Sequence, residues 1–188
     1  FRPVTVTAPE GTFVNPSLPA PVAARNMGCI RIHQTVLGIF AQMLPDVVYA
    51  CSGGCEALWT MAGYDKSQSP WKAWVQVDSP NELSSGGYPW RDGIDTQSVG
   101  STNNANVPSE IMEVEHPVQI TEYGILTDSE GAGKYRGGMG MVREFRYLMD
   151  ETLLQCRSDR QKHSPFGVAG GGSPPLARMI LKSGDEEC

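Results

Sequence analysis

The residues between Gly86 and Gly140 constrain this chain most. They read GGYPWRDGID (Gly86 to Asp95), STNNANVPSEIMEVEHP (Ser101 to Pro117) and DSEGAGKYRGGMG (Asp128 to Gly140). Glycine this dense, set among arginine and carboxylate, is poor material for an apolar core. It suits backbone that turns sharply and lies close against something else. Any fold for this chain must place several long loops in contact before it places a continuous core.

Composition agrees with loops and short elements. The chain has 188 residues, with 21 glycines and 14 prolines, which disfavours a helix bundle. Hydrophobic residues at 40% and charged residues at 19% suffice for a core, and the length fits one domain or part of one over residues 1–188. The expected class is α+β: a strand-rich mixed sheet with few helices and long glycine-rich loops. A net charge of -6 argues against a nucleic-acid-binding surface. No apolar run approaches the roughly 20 residues of a membrane-spanning helix. The first residues, Phe1-Arg2-Pro3, lead straight into a strand-like run rather than a signal peptide, and the start without Met predicts an internal piece or a processed chain. The cysteines, Cys29, Cys51, Cys55, Cys156 and Cys188, are odd in number and irregular in spacing, so free thiols are expected rather than a disulfide framework. Cys51 and Cys55 lack the second pair that a structural metal site needs.

Periodicity places the elements. Residues 3–8 (PVTVTA) alternate and predict a strand. Ile32, Val36, Ile39, Phe40 and Met43 recur at helical spacing and predict an amphipathic helix over residues 30–44, stopped by Pro45, with His33 beside its apolar face as a satisfied structural histidine. Residues 71–77 predict a strand in which Trp71 and Trp74 do not share a face. Pro108-Ser109-Glu110 predicts the start of a short helix ending before Pro117. Residues 118–126 predict a strand. Residues 141–149 and 152–157 predict a strand pair joined at Asp150-Glu151, with Arg143, Glu144 and Arg146 partly on the wet side. A last strand is expected over residues 178–182.

Three constellations carry possible chemistry. The loop from Gly131 to Gly138, with Lys134 and Arg136, is read either as an anion cradle built on backbone N–H groups or as a tight crossing where only glycine fits, and the residues favour the crossing. It lacks both the P-loop pattern and the strand–helix setting of a dinucleotide fingerprint. The carboxylates Asp92, Asp95, Glu110, Glu113 and Glu115 offer oxygen ligands or acid–base groups, but salt bridges to Arg91 or Arg136 and plain solvation are the commoner arrangements. Arg157 to His163 is read either as an anion-binding or partner-contacting stretch or, by default, as a solvated turn at a strand end. No nucleophile elbow, HExxH or CxxC is present.

Taken in order, APEGTFVNPSLPAPVAARN, RDGIDT, TNNANVPSEIMEVEHP, DSEGAGKYRGGMGMVREFR and SDRQKHSPFGVAGG resemble the later part of the hydantoinase B / 5-oxoprolinase family over almost the whole chain, departing from its pattern after Gly172. The resemblance implies a cytoplasmic, hetero-oligomeric enzyme. Its A-type subunit holds ATP and phosphorylates the substrate or an intermediate. Its B-type part then completes hydrolysis of a cyclic amide such as a hydantoin or 5-oxoproline or, alternatively, carboxylation of acetone or acetophenone. The implied partners are that hydantoinase A-like, ATP-binding subunit and the remainder of the B-type polypeptide. The implied divalent metal has its histidine and aspartate ligands in an earlier part of the family's sequence, so no metal ligand is assigned here, and this piece alone is expected to be inactive. Asp92, Asp95, Asn104, Glu110, Gly131, Gly133, Arg136, Gly137 and Gly138 fall on matched motif positions. They are candidates to line the substrate cleft or to hold the fold beside it. A reading of another class is a structural or interaction module that docks on a partner.

Overall fold

A computed structural model describes residues 4–53, 58–78, 84–98, 100–101, 105–183 and 186–187. The elements run α1 (Arg25–Met43), β1 (Leu58–Asp65), β2 (Lys72–Asp78), α2 (Ser109–Glu115), β3 (Val118–Ile125), β4 (Met141–Tyr147), β5 (Thr152–Arg157), β6 (Lys182–Ser183) and β7 (Glu186–Glu187). The class is α+β with few helices, as expected, and its strands form small antiparallel sheets ordered β2-β1-β5, β3-β4 and β6-β7. No helix among the described residues is long and apolar enough to cross a membrane.

The core lies where the first two sheets and α2 meet. Met61 of β1, Trp74 of β2, Met112 of α2 and Val118 of β3 are buried, with Trp59, Ile120, Phe145, Tyr147 and Leu154 packed around them. Burying a methionine side chain fully contributes about 1.5–3 kcal/mol. The Trp59 and Phe145 rings, 5.3 Å apart, join β1 to β4. Burial pushes the Tyr147 hydroxyl up to about 12. The short helix α2 forms because Pro108 precedes its first turn, Glu110 faces the positive end of its dipole and Pro117 blocks extension. Glu113 Oε1 accepts the Ile120 N–H at 2.8 Å and ties α2 to β3.

Several expectations need correction. Residues 4–8 form no strand, and Val4 and Val6 are 69% and 87% exposed; no neighbouring strand pairs with them among the described residues. The strand Leu58–Asp65 goes unread in the sequence, although it is the centre of its sheet. The β4 and β5 strands do not pair: β4 joins β3 and β5 joins β1, because the Leu148 N–H bonds to the Pro117 carbonyl and holds β4 on the α2–β3 side. The expected last strand shrinks to Lys182–Ser183. Arg143 is not wet. Its side chain is 0% exposed, Nη1 donates to Asp78 Oδ2 at 2.6 Å, and the guanidinium lies 5.1 Å from the Tyr123 ring centre and 4.9 Å from that of Phe145.

The helix α1 is found, but with another face inward. Ile30, Gln34 and Ala41 are buried against loops, whereas Ile32, Val36, Ile39, Phe40 and Met43 are 41–67% exposed. Loops reach α1 through hydrogen bonds at Arg31 and Gln34, and the Phe166 ring packs against Gly38. The His33 Nδ1 is buried with no hydrogen-bond partner among the described residues, where a satisfied structural histidine was expected.

The Asp78–Arg143 pair clamps β2 to β4 inside the core. Removing one partner leaves an uncompensated buried charge, which costs about 3–5 kcal/mol, while replacing both with apolar groups costs much less. Asp78→Ala is expected to lower unfolding free energy by about that amount, and Asp78→Leu with Arg143→Met by less than either single change, measured by urea denaturation. A loss under about 1 kcal/mol for Asp78→Ala would show that the pair is not a clamp.

Candidate functional site

The glycine-rich loops of residues 84–96, 128–140 and 166–174 meet edge to edge without forming assigned strands. The Gly93 N–H donates to the Arg136 carbonyl at 2.7 Å, Gly138 N–H to Ser85 at 2.9 Å and Thr96 N–H to Met139 at 3.0 Å. Ser85 N–H returns to the Ile94 carbonyl at 3.1 Å, and Ile94 N–H donates to Ser85 Oγ at 2.7 Å. Glycine is required by contact here. A Cβ on Gly138 would run into the Ile94 carbonyl, and one on Gly93 into the Gly138 amide and Ser85 carbonyl. Gly131 approaches the Gly172 carbonyl similarly, while the Gly172 N–H bonds to Ala132 at 2.7 Å.

One ion pair sits at the centre of these loops. Arg136 Nη1 donates to Asp95 Oδ1 at 2.9 Å and Nη2 to Asp95 Oδ2 at 3.4 Å, a two-pronged contact that fixes both planes. Nη1 also donates to the Gly137 carbonyl at 2.8 Å, and Asp95 Oδ1 accepts the Met139 N–H at 2.7 Å. Asp92 Oδ1 accepts the backbone N–H of Arg136 at 3.0 Å. The Arg136 hydrogen bond, followed by that of the Met139 amide, holds the Asp95 carboxyl below its ordinary range. Asp95 in turn raises the guanidinium, with smaller contributions from the Glu130 and Asp92 charges. Thr96 follows with a left-handed backbone (φ 48°), strain that only over-determined surroundings hold in a β-branched residue.

The structure therefore brings Asp92, Asp95, Gly131, Arg136, Gly137 and Gly138 together. Gly133 lies in the same loop, close to the Tyr135 carbonyl. Glu110 stands apart, exposed on the first turn of α2, and Asn104 lies outside the described residues. At its Arg136 end the loop is a crossing, as the residues favour, with its amides turned to the protein. The N–H groups of Arg136, Gly137, Gly138, Met139 and Gly140 all bond within the protein, to Asp92, Gly131, Ser85, Asp95 and Ser129. Among the described residues no three of His, Cys, Asp and Glu lie close enough to share a metal ion, so the residues here do not fit a cation site by themselves.

A second polar network was not foreseen. Gln34, buried in α1, donates to Ser52 Oγ at 2.8 Å and accepts from Cys51 Sγ at 3.4 Å and from the Ser52 N–H at 3.3 Å. Arg160 reaches across with Nε to the Gly53 carbonyl at 2.9 Å and Nη2 to Cys51 Sγ at 3.1 Å, from a left-handed backbone (φ 63°). Arg31 pairs with Asp159 at 2.9 Å. The run Arg157 to His163 is thus tied to α1 rather than merely solvated. The one sequence signal was Gln34, a polar residue beside an apolar helical stripe. Cys55 lies outside the described residues.

Asp95 gives a pH-dependent prediction. Its folded pKa is depressed, so its contribution is present above the unfolded value of about 3.9 and is lost as pH falls through the folded value. Asp95→Asn should lose about 1.5–3 kcal/mol at pH 7. The gap between variant and wild type should stay level down to about pH 5 and close below about pH 4. Urea unfolding at several pH values checks this, and a gap that is already absent at pH 7 would contradict it. Gly138→Ala should cost about 1–3 kcal/mol by the same measurement, since the Ile94 carbonyl must move.

Residues 1–187 match the family model described as hydantoinase B/oxoprolinase. Over 185 residues the chain is 32% identical to a protein of Pseudomonas sp. (strain NS671) described as the putative B-type component of a D-/L-hydantoinase, covering 98% of this chain and 30% of that protein. It is 29% identical over 174 residues to the 5-oxoprolinase PfmaA of Pestalotiopsis fici, covering 91% of this chain and 13% of that protein. It is 26% identical over 197 residues to the beta component of the caprolactamase of Pseudomonas jessenii, covering 100% of this chain and 33% of that protein. The chain thus spans a third or less of the length of these relatives. On the match over residues 1–187, the chain belongs to the hydantoinase B/oxoprolinase family.

Proposed function

We propose that this chain is part of the B-type component of an ATP-dependent enzyme that opens a cyclic amide of the hydantoin or 5-oxoproline type, in the cytoplasm, with ATP held on a companion A-type subunit. The observation that carries this reading is the family match over residues 1–187, and two relatives are named as components of a hydantoinase and of a caprolactamase. The geometry supports a wall-and-scaffold role. Asp95 and Arg136 neutralise each other, and Asp92 Oδ1 is engaged by the Arg136 amide, so this pair and that oxygen serve the fold. The apolar stripe of α1 is open, and in this reading the remainder of the B-type polypeptide covers it. The divalent metal belongs to that remainder too. The residues described here do not fit one, and no step is assigned to it.

The test is reconstitution. The full B-type polypeptide and its companion subunit together should open hydantoin or 5-oxoproline with ATP hydrolysed in step, and this 188-residue chain alone should open neither. Ring opening by the chain alone, without ATP, would overturn the reading.

A further inference from the structure

The sheet β2-β1-β5 turns its aliphatic side outward. Its inner side meets the core through Met61, Trp74 and Leu154, so the residues that alternate with these face away. The register aligns the outward residues in two rows, Val77–Thr60–Gln155 and Val75–Ala62–Leu153. Val75 is 61% and Leu153 70% exposed, and Tyr64 continues the face. In β2 the usual alternation is inverted. Its valines stand outside, while Gln76 and Asp78 lie on the inner side, where Asp78 is buried against Arg143. An antiparallel sheet that keeps one face in water carries polar residues on that face. This face has charge only at its ends, with Arg157 at one and the Lys66–Glu151 pair at the other. Its relief is a trough: the small side chains of Thr60 and Ala62 run along the central strand, between the valines of β2 and Leu153 of β5. Strands lie about 4.8 Å apart, so the trough spans about 10 Å between the edge strands, the width of one α-helix.

Resting on the reading that this chain is one part of a B-type component, we propose that this sheet is an inner layer of the whole polypeptide. A helix from the part of that polypeptide outside this chain lies in the trough along β1, with its apolar stripe on Val75, Ala62 and Leu153. The chain spans a third or less of the length of its relatives, so most of such a polypeptide is available to supply the helix. The character of the face separates this occupant from a companion subunit. Between separate chains, binding energy concentrates in tryptophan, tyrosine and arginine, and leucine, valine and threonine are under-represented among the residues that carry it. The two rows hold no aromatic residue and no arginine. Aliphatic rows on a sheet are what a domain buries between its own layers. A tethered segment also meets the face at high effective concentration as the polypeptide folds, so no apolar patch is left bare until a second chain arrives.

The experiment labels introduced thiols in the full B-type polypeptide, with and without its companion subunit. Val75→Cys and Leu153→Cys are reacted with a maleimide, folded and after unfolding in urea, and the labelled peptides are read by mass spectrometry. Without the companion, both sites should react at least about tenfold more slowly in the folded polypeptide than in the unfolded one. A photo-crosslinker carried on the same thiols should capture one segment of that polypeptide at positions three or four residues apart. Slowing below tenfold with and without the companion would mean that the face stays wet. Protection that appears only with the companion would assign the face to that subunit, and protection that grows with the polypeptide's own concentration would assign it to a second copy. Capture at every second residue would replace the helix with a strand. Each of these results overturns the proposal and leaves the functional reading intact, whereas a natural polypeptide no longer than this chain would overturn both. Where a variant fails to fold, hydroxyl-radical footprinting of the wild type at Tyr64 decides. Low oxidation in the polypeptide alone supports the proposal, and oxidation like that of free tyrosine overturns it.

Discussion

The Asp95 carboxylate is the constraint on which the loops of this protein depend. It holds the Arg136 guanidinium and the Met139 amide together, and through them fixes where residues 131–139 lie against residues 85–96. The packing is backbone on backbone, and the glycines that permit the approach contribute no side-chain contact of their own. A charge-assisted contact compensates for the apolar burial these loops lack. The strained Thr96 backbone beside it is tolerated for the same reason: its amide is bound to Met139 and its neighbour is locked.

Sequence periodicity revealed the elements that carry a face of their own. The strand over residues 118–125, the strand over 72–78 and the short helix after Pro108 were legible because each alternates or caps plainly. The central strand β1 was not, since LWTMAGYD carries apolar residues on both sides of the sheet and a glycine in its middle. Pairing was misread where chain proximity misled. Asp150-Glu151 resembles a hairpin turn, yet β4 and β5 diverge to separate sheets. The face of α1 was misread because periodicity reports what a helix can bury, and among the described residues the stripe from Ile32 to Met43 is only partly covered.

The candidate site was legible as a neighbourhood rather than as chemistry. The motif positions Asp92, Asp95, Arg136, Gly137 and Gly138 do converge, but as mutually satisfied groups, and Glu110 shared only sequence proximity with them. Long-range partners explain the misses. The contact of Arg160 with Cys51 and that of Arg143 with Asp78 join residues far apart in the chain, which no local pattern encodes. The Arg143 guanidinium is fully buried and that of Arg160 half-buried, and both, like Arg136, fasten segments distant in sequence.

The central claim is that the amides from Arg136 to Gly140 serve the fold and are not held open for an anion. Native-state hydrogen exchange at Arg136, Gly137, Gly138, Met139 and Gly140, with and without inorganic phosphate, tests it most directly. The account predicts that all five amides are protected in the free protein and exchange at unchanged rates with phosphate present. Fast exchange in the free protein, slowed by phosphate, would contradict it and restore the loop as an anion-binding cradle.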